Sequence, residues 1–218
     1  MAEYTTAALV EAELKASASF GASTSPTLTQ VTTWITEESA QINQDAGRVF
    51  ESTSYSDVIN YDGYDQITLK HAPVIDVTRV LYTTADLGTS SYALDNTAIE
   101  DTHYTRFDER GVIEVLPSWT NLREGLKTVQ VDYTAGYATT PLEIQKLATK
   151  MVAKRVIDTQ IQNDLEQKAS GKSVSVGSIN IVKSAEFGVN NFKRLGEEIQ
   201  TLKSELSKNF GVHRFTNY

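Results

Sequence analysis

Between residues 28 and 168 the spacing of apolar side chains changes period twice, and few folds accommodate that. Leu28, Val31, Ile35, Ile42, Ala46 and Val49 recur at three- and four-residue steps, the pattern of a long helix with one buried face. From 51 to 134 that rhythm gives way to short β-prone runs punctuated by Ser, Asp, Tyr, Thr and Gly. Ile67–Leu69 is one run, Val74–Tyr82 after Pro73 another, and Val112–Leu116 follows a turn at Asp108–Gly111. Val129, Val131 and Tyr133 alternate with Gln130 and Asp132, the period of a half-buried strand. Helical spacing then returns at Ile144, Leu147, Ala148, Met151, Ile161 and Leu165.

The boundaries carry their own chemistry. Ser25 suits an N-cap and Pro26 a first helical position. Thr140-Pro141-Leu142-Glu143 has the form of a capping box with Pro at the first position, and Gly171 is a helix stop. A weaker helix is predicted over about Thr6–Ala18, with Leu9, Val10 and Leu14 as its stripe. These signals predict a mainly α chain with a small antiparallel β portion, an α+β helical bundle plus a C-terminal arm. The longest helices are expected at 26–50, 141–168 and 189–209, with the sheet inside 67–134.

The arm begins at residue 171, so the expected division is a core domain over 1–170 and an arm over 171–218. Val174, Val176, Ile179 and Ile181 suggest a hairpin turning at Gly177-Ser178. The last helix carries Phe192, Leu195, Ile199, Leu202 and Leu206, a narrow seam typical of helix-on-helix packing. Phe215 and Tyr218 stand in the tail as aromatic anchors. Residues 171–218 hold seven Lys/Arg and four Asp/Glu, whereas 1–170 hold 13 against 24. A basic arm on an acidic body suggests docking on an acidic surface, although both can equally be solvated faces. Those seven apolar side chains are the candidate interface, and packing of the seam on its own domain is the competing reading.

Catalytic chemistry finds little footing. Cysteine is absent, which removes disulfides, thiolate nucleophiles and Cys-based metal sites. His71, His103 and His213 lie in unrelated segments, and no Gly-x-Ser-x-Gly elbow exists. His71 reads as a strand-edge residue. Asp57, Asp62 and Asp65 in one loop region, or Asp95, Glu100 and Asp101 in another, have the hard oxygens Ca²⁺ takes, yet such residues are more often solvated. Gly171-Lys172-Ser173 imitates the end of a phosphate loop, but Glu166 stands where its first Gly belongs. No catalytic, cofactor-binding or metal-binding residue is assigned, and no cofactor is expected. No run of 18 apolar residues is present, and the N-terminus, with Glu3, Glu11 and Glu13, lacks the form of a signal peptide.

One stretch carries a resemblance. Val129-Gln130-Val131-Asp132-Tyr133-Thr134-Ala135-Gly136-Tyr137, followed by Pro141-Leu142-Glu143-Ile144, resembles the tailed-phage head–tail connector family, the adaptor proteins similar to the lambdoid head-completion ring protein. The helix closing on Ala46-Gly47-Arg48-Val49-Phe50 resembles that family's early helix, and Lys70–Val77 its next strand. The resemblance implies a non-enzymatic virion protein at the neck, made in the host cytoplasm. Its partners would be the portal protein, a stopper or tail-completion protein, and further copies in a roughly twelvefold ring. DNA would pass the channel without specific binding, since an acidic wall repels phosphate. On this reading Phe192, Leu195, Ile199, Leu202, Leu206, Phe215 and Tyr218 meet the portal or a neighbouring subunit. A stopper or tail-completion role is the near alternative, and a hydrolase with a non-local site the distant one.

Overall fold

The computed structural model describes residues 3–16, 18–83, 96–122, 124–170 and 185–210. The chain divides into two compact units, residues 1–48 with 140–218, and residues 49–139. The first is helical and the second is built on strands, so the β segment interrupts the helical unit in sequence.

The helical unit contains α1 (Ala7–Leu14), α2 (Leu28–Ala46), α3 (Leu142–Ser170) and α4 (Ala185–Phe210). A capping box opens α2, but on Thr27 rather than Ser25. The Thr27 hydroxyl accepts from the Gln30 amide at 3.3 Å, and the Gln30 side-chain oxygen accepts from the Thr27 amide at 2.9 Å. Gly47, at φ 64°, ends the helix well before Phe50 by taking the left-handed conformation that suits glycine. At α3 the expected box is absent: Gln145 donates to the Pro141 carbonyl at 3.0 Å, and no bond joins Thr140 to Glu143 among the described residues.

Helix α3 packs against α1, α2 and α4. With neighbours on three sides it buries a broad face through Ile144, Leu147, Ala148, Val152, Ala153, Val156 and Ile157. That breadth is why a single stripe described it incompletely. Val10, Val31, Ile35, Val152, Val156 and Leu195 share one apolar cluster, so α4, expected in a separate arm, packs within this unit. The proposed hairpin over 174–181 lies outside the described residues.

The β unit overturns the expectation of a helical bundle with a minor sheet. Its strands are β1 (Thr53–Tyr61), β2 (Gln66–Thr68), β3 (Val74–Tyr82), β4 (Asn96–Ala98), β5 (Tyr104–Phe107), β6 (Val112–Val115) and β7 (Gly125–Ala135). They form two antiparallel sheets, ordered β1-β7-β3-β4 and β2-β6-β5. The class remains α+β. Three strands escaped the sequence reading, the short β4 and β5 and the long β1, where Tyr55, Asp57, Ile59 and Tyr61 face inward and Ser54, Ser56, Val58 and Asn60 face outward. A polar outer face and an inward Asp disguise that alternation. Strand β7 lies between β1 and β3, with Thr53 and Val74 both registered on Ala135. Val80, Val129, Val131, Tyr133, Ile113 and Trp119 are buried in its core. Among the described residues no helix is long and apolar enough to cross a membrane.

Candidate functional site

The three segments that carry the family resemblance converge inside the β unit, at the end of β7. Gly136 follows that strand at φ 110°, a conformation side chains rarely adopt. Its amide donates to the Pro73 carbonyl at 2.9 Å, and a Cβ would collide with the Glu51 carbonyl. One glycine therefore lets the chain after α2, the segment before β3 and the end of β7 approach at backbone distance. Phe50, fully buried, stacks on Tyr137 with ring centroids 6.1 Å apart.

Three residues back on β7, Tyr133 ties the same segments by hydrogen bonds. Its hydroxyl donates to the Asp57 carboxylate at 2.7 Å and accepts from the His71 amide at 3.2 Å. Asp57 also accepts from the Lys70 amide at 3.2 Å and pairs with the Lys70 ammonium at 3.3 Å. Burial pushes the Asp57 carboxyl up, but the bonds from Tyr133 and Lys70 outweigh it and hold the group below its usual value. Burial first, then the bond to Asp57, pushes the Tyr133 phenol well above the usual range. Asp57 thus contributes stability that is present above its unfolded pKa and lost as pH falls through the lower folded one.

The arrangement holds shape rather than reactivity. Tyr133 is kept protonated and Asp57 kept ionised and paired, so neither is poised to exchange a proton near neutrality. The His71 ring stacks on Tyr55 at 3.7 Å between centroids, and it is the His71 backbone amide that meets Tyr133. His71 stands between β2 and β3 rather than on a strand edge.

The candidate calcium ligands separate. Asp57 is an inward residue of β1, whereas Asp62 and Asp65 sit in the turn beyond it. Glu100 pairs with Arg106 at 2.9 Å, and Asp95 lies outside the described residues. Among the described residues, no group of three His, Asp or Glu is placed to hold a metal. His103 accepts from the Ile99 amide at 2.9 Å and packs on Trp119, a turn-forming role.

In the helical unit, Leu195, Ile199 and Leu206 of the candidate interface are buried, and Phe192 and Leu202 are half-buried. Docking through the first three requires α4 to leave α3. Phe215 and Tyr218 lie outside the described residues. Beside the seam a cleft of about 340 Å³ lies among α2, α3 and α4, walled by Met151, Phe192 and Ile199, with the cations of Lys154, Arg155 and Lys203 and the carboxylates of Glu38 and Asp158 on its polar side. Lys203 is buried and pairs with buried Asp45 at 3.1 Å. Arg155 pairs with Glu37 and Glu38, and burial raises the Glu38 carboxyl above its usual value despite that partner. The Lys154 ammonium instead sits 4.6 Å from the centre of the Phe192 ring. Sequence reading missed this cleft because its cations come from two helices whose relation no local pattern records.

No family model and no curated protein matches the chain. Among solved structures it is similar to a chain in the neck of a native GTA particle computed with C12 symmetry, at 16% identity and a TM-score of 0.39. That likeness covers 86% of this chain and 88% of the other.

Proposed function

We propose that the chain is a structural protein of a tailed-phage virion, a head-completion or adaptor ring beneath the portal that joins capsid to tail and lines the DNA channel. The observation that carries this reading is the junction at Gly136. The three segments resembling the connector family, separated by up to some eighty residues in sequence, meet there, Phe50 on Tyr137 and Pro73 on Gly136, beside the Glu51 carbonyl that follows the first of them. A motif whose members act on each other's backbone positions is a fold signature, and it asks for no substrate. Charge supports the same assignment. The β unit holds 14 Asp/Glu against 6 Lys/Arg, and an acidic wall lets DNA pass without adhering.

The function is tested by the mass of the purified full-length protein, alone and mixed with portal rings. The expected result is a stable complex of portal with a ring of this chain, and no turnover of nucleotide, peptide or ester. Failure to bind portal, or appreciable hydrolysis of any of these, overturns the reading. A second reading, as a stopper or tail-completion protein, draws on the two sheets of the β unit, since such neighbours are the more β-rich. It expects binding only to portal that already carries an adaptor.

A further inference from the structure

The seam of α4 does not by itself fix where the helix sits. Phe192, Leu195, Ile199, Leu202 and Leu206 repeat at steps of three and four. A slide of seven residues along the axis still sets Phe192, Leu195 and Ile199 on the sites of Ile199, Leu202 and Leu206, and the opposite slide does the reverse. A slide of three sets Phe192 on the site of Leu195 and Ile199 on that of Leu202. A slide of four the other way sets Ile199 on the site of Leu195 and Leu206 on that of Leu202. A stripe of this kind selects a groove more strictly than a position along it.

Lys203 breaks that degeneracy. Among the described residues it is the only charged side chain of α4 that is buried. Its ammonium reaches the buried Asp45 carboxylate of α2 at 3.1 Å, and Asp45 otherwise accepts from Gln41 of its own helix at 2.6 Å. Seven residues before Lys203, on the same side of α4, stands Gly196, where a Cβ would lie 3.8 Å from the Lys154 ammonium. Each slide spoils this arrangement. Seven residues one way brings Gly196 to Asp45, and seven the other way carries Lys203 to Lys154. The slide of three puts Lys203 on the fully buried site of Leu206, and the slide of four puts it on the buried site of Ile199. In all four, Asp45 is left buried without its cation.

We infer that the Asp45–Lys203 pair is the register pin of α4, fixing which residues of the seam meet α2 and α3 while adding little to the stability of the unit. The desolvation of two buried charges offsets their attraction, so such a pair is a weak source of stability, and fixing a register is its best-attested use. Losing one partner strands the other and is costly, whereas losing both is not. The inference stands apart from the reading of the chain as a ring protein.

The test therefore replaces both partners in the full-length chain. Asp45→Leu with Lys203→Met leaves Glu38 its own partner, Arg155 at 3.0 Å. The chain has no cysteine, so nitroxide labels on Ala40→Cys of α2 and Ser204→Cys of α4, both exposed, report their separation by pulsed electron resonance. A second label pair puts Lys193→Cys in place of Ser204→Cys, and labelled protein is diluted in excess unlabelled protein so that only distances within one chain are read. The parent should give one distance. The apolar pair should melt at or above the parent's temperature and give a second distance, displaced by up to about 10 Å for a slide of seven residues. Lys203→Arg, which keeps the charge, should keep the single distance. An apolar variant that melts well below the parent overturns the inference, for the pair would then stabilise the unit. One that melts as high with the parent's single distance overturns it as well, for the seam would then suffice. A second distance in Lys203→Arg overturns the assignment to charge.

Discussion

The helical unit and the β unit differ in where they carry charge and in what fills their cores. In the helical unit acidic and basic residues balance at 14 each, and the core is aliphatic, with Val, Ile, Leu and Ala closing around α3. The β unit carries the chain's whole net charge of −8, and its core adds Tyr82, Tyr104, Trp119 and Tyr133 to the aliphatic residues, with Tyr133 bonded to Asp57 and to the His71 amide. Dividing the chain after residue 170 hides this, because it sets a basic end against an acidic remainder instead of a neutral unit against an acidic one. The difference teaches where specificity lies in each. Helix packing tolerates exchange among apolar residues of similar volume. A sheet junction held by one glycine and one buried hydroxyl does not.

The largest expected effect follows from that. Gly136→Ala forces an alanine to φ 110° and drives its methyl into the Glu51 carbonyl. A cost of about 4 kcal/mol or more is expected, read as loss of the cooperative transition in denaturant. An alanine variant within about 1 kcal/mol of the parent would show that the junction relaxes easily, and would erase the contrast between the units.

The next effect compares an ion pair of the helical unit, buried on both sides, with one of the β unit that is buried on the acidic side alone. Asp45 and Lys203 are both buried in the helical unit. Asp57 is buried in the β unit, but its partner Lys70 is largely exposed, and Tyr133 and a backbone amide remain if Lys70 is lost. Lys203→Met should cost about 3 kcal/mol, because it strands a buried carboxylate that, among the described residues, Gln41 alone then serves. Lys70→Met should cost less than about 1 kcal/mol. Equal losses, measured by denaturant unfolding of both variants, would mean that burial of the cation does not distinguish the two pairs.

How much was legible in the sequence divides along the same line. Strand β3 was read at its exact bounds because Pro73 and a β-branched run mark it, and β7 was found by the strict alternation of Val129, Val131 and Tyr133. Strand β1 was missed because its inward positions include an Asp and two Tyr, which read as loop residues until Tyr133 and Lys70 are brought beside them from elsewhere in the chain. The seam of α4 was legible as a pattern. Which helix it meets was not, because Phe192, Leu195 and Ile199 carry no mark that separates α3 of the same chain from a partner. The junction at Gly136 was half legible: the glycine after a strand announced a turn, and the Glu51 carbonyl that makes it obligatory lies 85 residues earlier.

The smallest effect tests the reading of helix starts, where a cap was expected on Ser25 and a capping box on Thr140, and the box stands instead on Thr27. Thr27 and Gln30 exchange bonds between side chain and backbone at the start of α2, at 3.3 and 2.9 Å. Thr140 and Glu143 have the same spacing and the stronger sequence form, with Pro between them, yet α3 opens at Leu142 on a Gln145-to-Pro141 backbone bond. The helix begins later than the box requires, with Pro141 at the cap position, so the Thr140 hydroxyl stands one residue before the cap and makes no bond to the first-turn amides among the described residues. Thr27→Ala should therefore cost about 1 kcal/mol, the ordinary value of a lost N-cap, whereas Thr140→Ala should fall within about 0.5 kcal/mol of the parent. Both are read from denaturant midpoints at unchanged slope. The reverse order would place a working cap on α3 and move its start to the Pro, as the sequence form alone suggests.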